Sequence, residues 1–344
     1  INGTRFWASG LVWDYAKRQA VEKNGSFRKG CLEADDVALC VDATNGRTLW
    51  KRSFARLGMN FQSRKDDAIH SSPCYADGRV YILTTTCRLR CLDAVSGEVL
   101  WETTAMADFA EYSLDKLVVM ASGHRVNSIL GGSGHSGGYF GMAVIAGRLI
   151  VRNRAGGLQA FDPKTGDLFW TQMEAGLAAN HPLPFVWRHQ DRTFLLGIRL
   201  GTVTCTDAAD GKVLWKKNAP ITNPTVAGDV LVAVPESIKK GEDQSGYVLN
   251  GYRLTLQGIE HLWRADPKEA GYCYHGNYPS TAADGAVLAP RHFRPGTPNP
   301  ILDDRAFDAM VRLDPLTGKV LAVYPARSFG GHENPSELDD GWIW

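Results

Sequence analysis

No stretch of this sequence approaches the ~18 consecutive apolar residues that a membrane-spanning helix needs. Neither sign of charge is in surplus. Lys and Arg number 38 against 37 Asp and Glu, and the net charge of +1 gives no electrostatic footprint for nucleic acid or an anionic membrane surface. There is no CxxCH for haem c and no HExxH zinc helix. The seven cysteines include no adjacent pair. Cys87 and Cys91 have no matching second pair, which argues against a structural zinc. "GGSGHSGG" (131–138) lacks the Lys, the preceding strand and the following helix of a phosphate-binding loop, and reads as a flexible loop. Glycine, at 36 of 344 residues, and a 44% hydrophobic content fit one large all-β domain over residues 1–344 with a good core.

A short hairpin recurs. "LRCLDAVSGEVLWETT" places Asp93, Gly97 and Trp101 at fixed offsets. The same Asp-x3-Gly-x3-Trp spacing gives Asp42, Gly46 and Trp50, then Asp162, Gly166 and Trp170, then Asp207, Gly211 and Trp215. Asp314 and Gly318 form a copy with Ala322 in place of Trp, and "YRLTLQGIEHLWRAD" keeps Trp263 without the Asp. Gly supplies the positive φ of a tight turn. Asp accepts from backbone N–H groups two or more residues on. A Trp at one place in each unit packs on the neighbouring unit, burying roughly 150–250 Å². These residues are expected to be structural.

A second hairpin lies between the copies, in "HSSPCYADGRVYILTT", "GYFGMAVIAGRLIVRN", "ITNPTVAGDVLVAV" and "YPSTAADGAVLAPR". Hairpin plus hairpin makes a four-stranded antiparallel unit of about 40–50 residues, the size of a propeller blade.

The pattern small-x-Asp-x-x-Thr-Gly-x3-Trp resembles the repeat of the pyrroloquinoline quinone (PQQ)-like β-propellers, from about Ala38 to Tyr324. That superfamily holds quinoprotein alcohol dehydrogenases, an outer-membrane assembly lipoprotein and many bacterial repeat proteins. The resemblance implies an all-β fold, a single propeller of four-stranded antiparallel blades, about seven in number within a range of six to eight. It does not imply bound PQQ. The dehydrogenases' vicinal cysteines are missing, and their catalytic Asp and calcium ligands match no position here. Residues after Pro325 read as a fresh inner strand, so that the C-terminal "GWIW" closes the ring against the first blade near 38–42.

Cys40, Cys91 and Cys205 sit two residues before the repeat Asp, where Ala160 stands in the third copy. They are expected to be equivalent core positions on different blades, too far apart to bond. Cys74 falls on an inner strand, Cys87 in a turn and Cys273 in a loop. Free, buried thiols are expected.

Function is expected on the face that carries the long loops, since long irregular loops on a rigid scaffold are usually functional. Of nine histidines, only His189, in a short turn, and His261, in a strand, lie elsewhere. His70, His135, His181, His275 and His332 each come shortly before an inner strand, which directs them to the mouth of the central channel. The candidate catalytic residues are His275, Tyr274 and Arg294. Substrate-binding candidates are His70, His124, Tyr272, Tyr278, Arg291 and His292. His135, His181 and His332, with Glu333 and Asp339 in reach, are the candidate ligands of one divalent metal ion.

Two functions fit. In the first, the funnel binds a carbohydrate or other small polar ligand and cleaves it as a lyase or hydrolase, with Arg or a metal neutralising a carboxylate and Tyr or His moving the proton. In the second, the chain is a non-catalytic scaffold whose blade edge or rim binds a protein partner. The chain opens on Ile1, and both a removed leader and missing ends stay open. A periplasmic or secreted location is expected.

Overall fold

The computed structural model describes residues 11–14, 19–22, 31–61, 73–83, 88–105, 141–152, 157–177, 183–235, 248–271, 279–291 and 309–325. The chain divides into two compact units, residues 1–183 with 209–211, and residues 184–208 with 212–344. In the first, β1 (Leu11–Asp14) pairs β2 (Gln19–Glu22), and β3 (Cys31–Val41) pairs β4 (Thr48–Phe61). Two four-stranded sheets follow. One is β5 (Cys74–Ala76), β6 (Arg79–Leu83), β7 (Arg88–Asp93) and β8 (Val99–Thr104); the other is β9 (Met142–Ile145), β10 (Arg148–Arg152), β11 (Leu158–Phe161) and β12 (Leu168–Gln172).

The second unit holds three four-stranded sheets. They are β13 (Phe185–His189) to β14 (Arg192–Arg199), β15 (Thr202–Asp207) and β16 (Val213–Asn218); β17 (Ile221–Ala227) to β18 (Val230–Pro235), β19 (Asn250–Thr255) and β20 (Gly258–Arg264); and β21 (Ser280–Thr281) to β22 (Val287–Arg291), β23 (Ala309–Leu313) and β24 (Val320–Pro325). A single-turn helix, α1 (Pro267–Ala270), is capped by Asp266, whose carboxylate accepts from the Lys268 amide at 2.8 Å. In every four-stranded sheet the strands pair antiparallel in chain order. The fold is therefore all-β, built of the antiparallel four-stranded blades that the repeat predicts. Trp344, in the "GWIW" end expected to close the ring, lies outside the described residues.

The fixed offsets of the repeat have a local cause. Asp93 Oδ1 accepts from the amides of Val95 (3.0 Å) and Ser96 (2.7 Å), while the Gly97 amide donates to the Asp93 carbonyl at 2.8 Å. Asp162 and Asp314 accept likewise from the amides two and three residues on. After the turn the register slips: Leu92 faces Val99, but Cys91 faces Trp101. This bulge turns Leu100 outward and Trp101 inward, and the same slip occurs at Ala160, Cys205, Gly251, Arg312 and Cys40.

The inward Trp then clamps the next hairpin. The Trp50 indole lies so close over Gly97 that a Cβ there would meet it at 2.6 Å, and its Nε1 donates to the Ala94 carbonyl at 2.9 Å. Trp101 repeats this on Gly166 (2.7 Å) and the Pro163 carbonyl (3.2 Å). In the second unit Trp263 sits on Gly318 and donates to the Pro315 carbonyl at 2.8 Å. Glycine is needed twice over at these turns, for a φ of +71° at Gly97 and +80° at Gly166, and for the absence of a Cβ.

The copy without Asp is not defective. The Thr255 hydroxyl accepts from the amides of Gln257 (3.2 Å) and Gly258 (3.1 Å), and the Thr255 carbonyl takes the Trp215 indole N–H at 3.0 Å. A hydroxyl thus replaces the carboxylate, which hydrophobic spacing alone did not reveal.

Candidate functional site

Cys74, Cys91 and Cys205 offer no thiolate nucleophile. Cys40, Cys74, Cys91 and Cys205 are free thiols, as expected, but only Cys91 and Cys205 are buried, while Cys40 and Cys74 are partly exposed. Cys91, Ala160 and Cys205 are fully buried at equivalent positions. Burial pushes the Cys205 thiol up to about 12, and it also raises Cys74 and Cys91. A protonated, buried thiol is inert. Burial likewise pushes the Tyr81 phenol up to about 12, and its hydroxyl donates to the Pro163 carbonyl.

Two of the buried polar side chains, Arg90 and Gln159, are paired within their own sheets. Arg90 Nε lies 2.7 Å from Glu102 Oε2, and Gln159 donates to the Thr171 hydroxyl at 3.3 Å. The two described histidines are held locally. His261 Nε2 lies 3.1 Å from Asn250 Oδ1 and stands edge-on to Tyr252. His189 Nδ1 lies 2.9 Å from Asp229 Oδ1, which also accepts from Trp187 Nε1 at 2.8 Å. Among the described residues no three His, Cys, Asp or Glu side chains are grouped to hold a metal ion.

Of the residues singled out from the sequence, Arg291 is described. It ends β22, half-buried, with its backbone paired to Ala309. His70, His124, His135, His181, Tyr272, Tyr274, His275, Tyr278, His292, Arg294 and His332 lie outside the described residues, so the structure neither joins nor separates them. Strands β5, β9, β13 and β21, each the first of its sheet, do begin soon after His70, His135, His181 and His275.

A different surface is on view. The fourth strand of each sheet pairs only with the third, leaving one row of backbone groups unpaired within the sheet. Charged side chains commonly blunt such edges. Strand β16 carries Lys216 and Lys217, and β20 carries Glu260 and Arg264. Strand β24 carries no charge, and Leu321, Val323 and Tyr324 on it are 53%, 40% and 40% exposed. The signal for this was present in the sequence: the residue before each repeat Trp is apolar, and the bulge turns it out.

A search of curated protein sequences finds no match. Among solved structures, the chain is similar to BamB from Moraxella catarrhalis, with 15% identity and a TM-score of 0.43 over 81% of this chain and 65% of that one. It is also similar to a europium-containing methanol dehydrogenase (10% identity, TM-score 0.44, 85% of this chain and 68% of that one). A quinohemoprotein alcohol dehydrogenase from Pseudomonas putida HK5 matches at 13% identity and a TM-score of 0.45, over 84% of this chain and 57% of that one. The chain thus spans 65% of the length of the BamB it matches. Among described residues, no helix is long and apolar enough to cross a membrane. Residues 34–187 and 154–334 match the family model described as outer membrane protein assembly factor BamB, and the chain belongs to that family of PQQ-like repeat propellers.

Proposed function

We propose that this chain is a periplasmic, protein-binding propeller that serves outer-membrane protein assembly by holding extended segments of a partner along an open blade edge. The family match over residues 34–334 carries this reading. Two structural features support it. The repeated Asp, Gly and Trp residues are occupied in turns and clamps, and the uncharged edge of β24 is exposed. An extended peptide added to such an edge gains main-chain hydrogen bonds, and the side chains on alternate positions set its specificity.

The test is titration of the full chain with a peptide of alternating apolar and polar residues from an outer-membrane β-strand. Binding with a Kd on the order of micromolar, weakened at least about tenfold by Val323→Lys, is the expected result. Absence of peptide binding, together with release of unsaturated products from an acidic glycan, would favour the carbohydrate reading. In that reading His275, Tyr274 and Arg294 do the chemistry at the loop face. His70, His124, Tyr272, Tyr278, Arg291 and His292 hold the sugar, and His135, His181 and His332 hold one divalent ion.

A further inference from the structure

The dipeptide Asn-Gly occurs at 45–46 and again at 250–251. At such a pair the backbone can attack the side chain. The amide nitrogen of the second residue closes a five-membered ring on the Asn side-chain carbonyl carbon, and a glycine there brings no Cβ to obstruct the closure.

The two pairs have opposite settings. Asn45 and Gly46 are both exposed, in the turn between β3 and β4. Asn45 Oδ1 accepts from the Arg47 amide at 2.9 Å, and Asn45 Nδ2 donates to Asp42 Oδ2 at 3.0 Å. The first bond lies where negative charge gathers when the carbonyl carbon is attacked. The attacking nitrogen is held by the bond from the Gly46 amide to the Asp42 carbonyl, 2.7 Å. Its counterparts are pinned further. Gly97 lies under Trp50, Gly166 under Trp101, Gly211 under Trp170 and Gly318 under Trp263, whereas among the described residues nothing would meet a Cβ at Gly46 within 4 Å. Those turns also place Ser96, Thr165, Asp210 and Thr317 before the glycine, none of which carries a side-chain amide. Asn250, by contrast, is 8% exposed in β19, which pairs β18 on one side and β20 on the other. Its Nδ2 donates to the Val248 carbonyl at 2.8 Å, its Oδ1 lies 3.1 Å from His261 Nε2, and Gly251 lies under the Trp263 indole. Ring closure there requires the sheet to open.

We propose that Asn45 is a self-modifying site: the Gly46 amide nitrogen displaces the side-chain amide of Asn45, and the turn passes through a cyclic imide to aspartyl and isoaspartyl forms, while Asn250 stays intact. Base removes the Gly46 amide proton, the nitrogen bonds Cγ of Asn45, and the Cγ–Nδ2 bond breaks as ammonia leaves with a proton from water. Water then opens the imide. Breaking the new bond to Cγ leaves an aspartyl at position 45, the residue type that Asp210 supplies before Gly211. Breaking the bond to the main-chain carbonyl carbon leaves an isoaspartyl link. That link lengthens the backbone by one methylene, carries the Gly46 amide off the Asp42 carbonyl and opens the turn. The site is independent of the assembly reading.

Ageing the full chain in warm, mildly alkaline buffer made with heavy-oxygen water, followed by tryptic digestion in ordinary water, tests it. Residues 30–47 should accumulate aspartyl and isoaspartyl forms, each with a single heavy oxygen, at least about tenfold faster than residues 241–253, which hold Asn250. In guanidinium chloride, where turn and strand are both lost, the two peptides should age at about equal rates. Asn45→Ser, which installs the residue type of Ser96, should silence the site and leave amide exchange at Gly46 unchanged. In the isoaspartyl fraction of the unmutated chain that exchange should be at least about tenfold faster. Equal ageing of the two peptides in the folded chain, both intact or both converted, would overturn the proposal. So would an aspartyl product without isoaspartyl, because water rather than Gly46 would then have attacked.

Discussion

The hairpins β3–β4 and β7–β8 carry the same Asp, Gly and Trp, the same bulge and the same bond from the Gly amide to the Asp carbonyl, yet their backs differ. Leu92 is 0% exposed and Val41 48%. The residues do not differ in kind: both are aliphatic, on the same face, one place before the Asp. What differs is the neighbour. Arg90 is covered by Phe54 from the hairpin before it, while Leu39 meets no such partner among the described residues. The comparison teaches that the motif fixes a hairpin and its forward clamp, whereas burial belongs to the stack. A repeat cannot bury its own faces, so each copy is completed by the next.

The largest effect should come from removing a clamp. Trp101→Ala should cost about 3–5 kcal/mol in urea unfolding, the range for truncating a buried aromatic, because it empties the seat on Gly166. A cost near that of an exposed site would break the comparison at its root. Next is the seat itself. Gly166→Ala puts a Cβ 2.7 Å from the Trp101 ring at a φ of +80°, while Gly147→Ala has the same backbone problem, a φ of +73°, in open space. The second substitution should cost about 1 kcal/mol and the first at least about twice that, which thermal melts will rank. Smaller still is Cys91→Ala, at about 1 kcal/mol or less, since Ala160 already fills the equivalent place against Trp170.

The smallest effect is one of pH. Bonds from Ser96 and Val95 hold the Asp93 carboxyl below its ordinary value of 3.8, and the Thr44 hydroxyl and amide do the same for Asp42. A depressed carboxyl contributes stability that is complete above the unfolded value. It is lost as pH falls through the lower folded value. Melting midpoints should therefore hold from neutral pH down to about 4 and drop only below it, and Asp93→Asn should flatten part of that drop.

The fold was legible in the sequence because three of its determinants are local. Asp bonding its own turn, Gly at positive φ and the bulge before Trp all act within one hairpin, so their spacing survives in the letters. Thr255 stands eight residues before Trp263, where the other copies have Asp; it escaped notice because a hydroxyl replaces the carboxylate and its glycine, Gly258, comes one place early. The exposed β24 edge was less legible, since edge and interior strands share the same apolar alternation and only the pairing order separates them. The histidine set was placed by loop length and by its position before the first strands, and its members, His70, His135, His181, His275 and His332, lie outside the described residues. Convergence of loop side chains depends on backbone paths that no periodicity encodes.

The central claim is that the repeat Trp and the repeat Gly of the next hairpin act as one contact. The direct measurement is a double-mutant cycle on Trp101→Ala and Gly166→Ala, read by urea unfolding of the full chain. If the clamp is real, Gly166→Ala costs at least about 1 kcal/mol less once Trp101 is gone, because only the backbone strain remains. Costs that add within about 0.5 kcal/mol would contradict it.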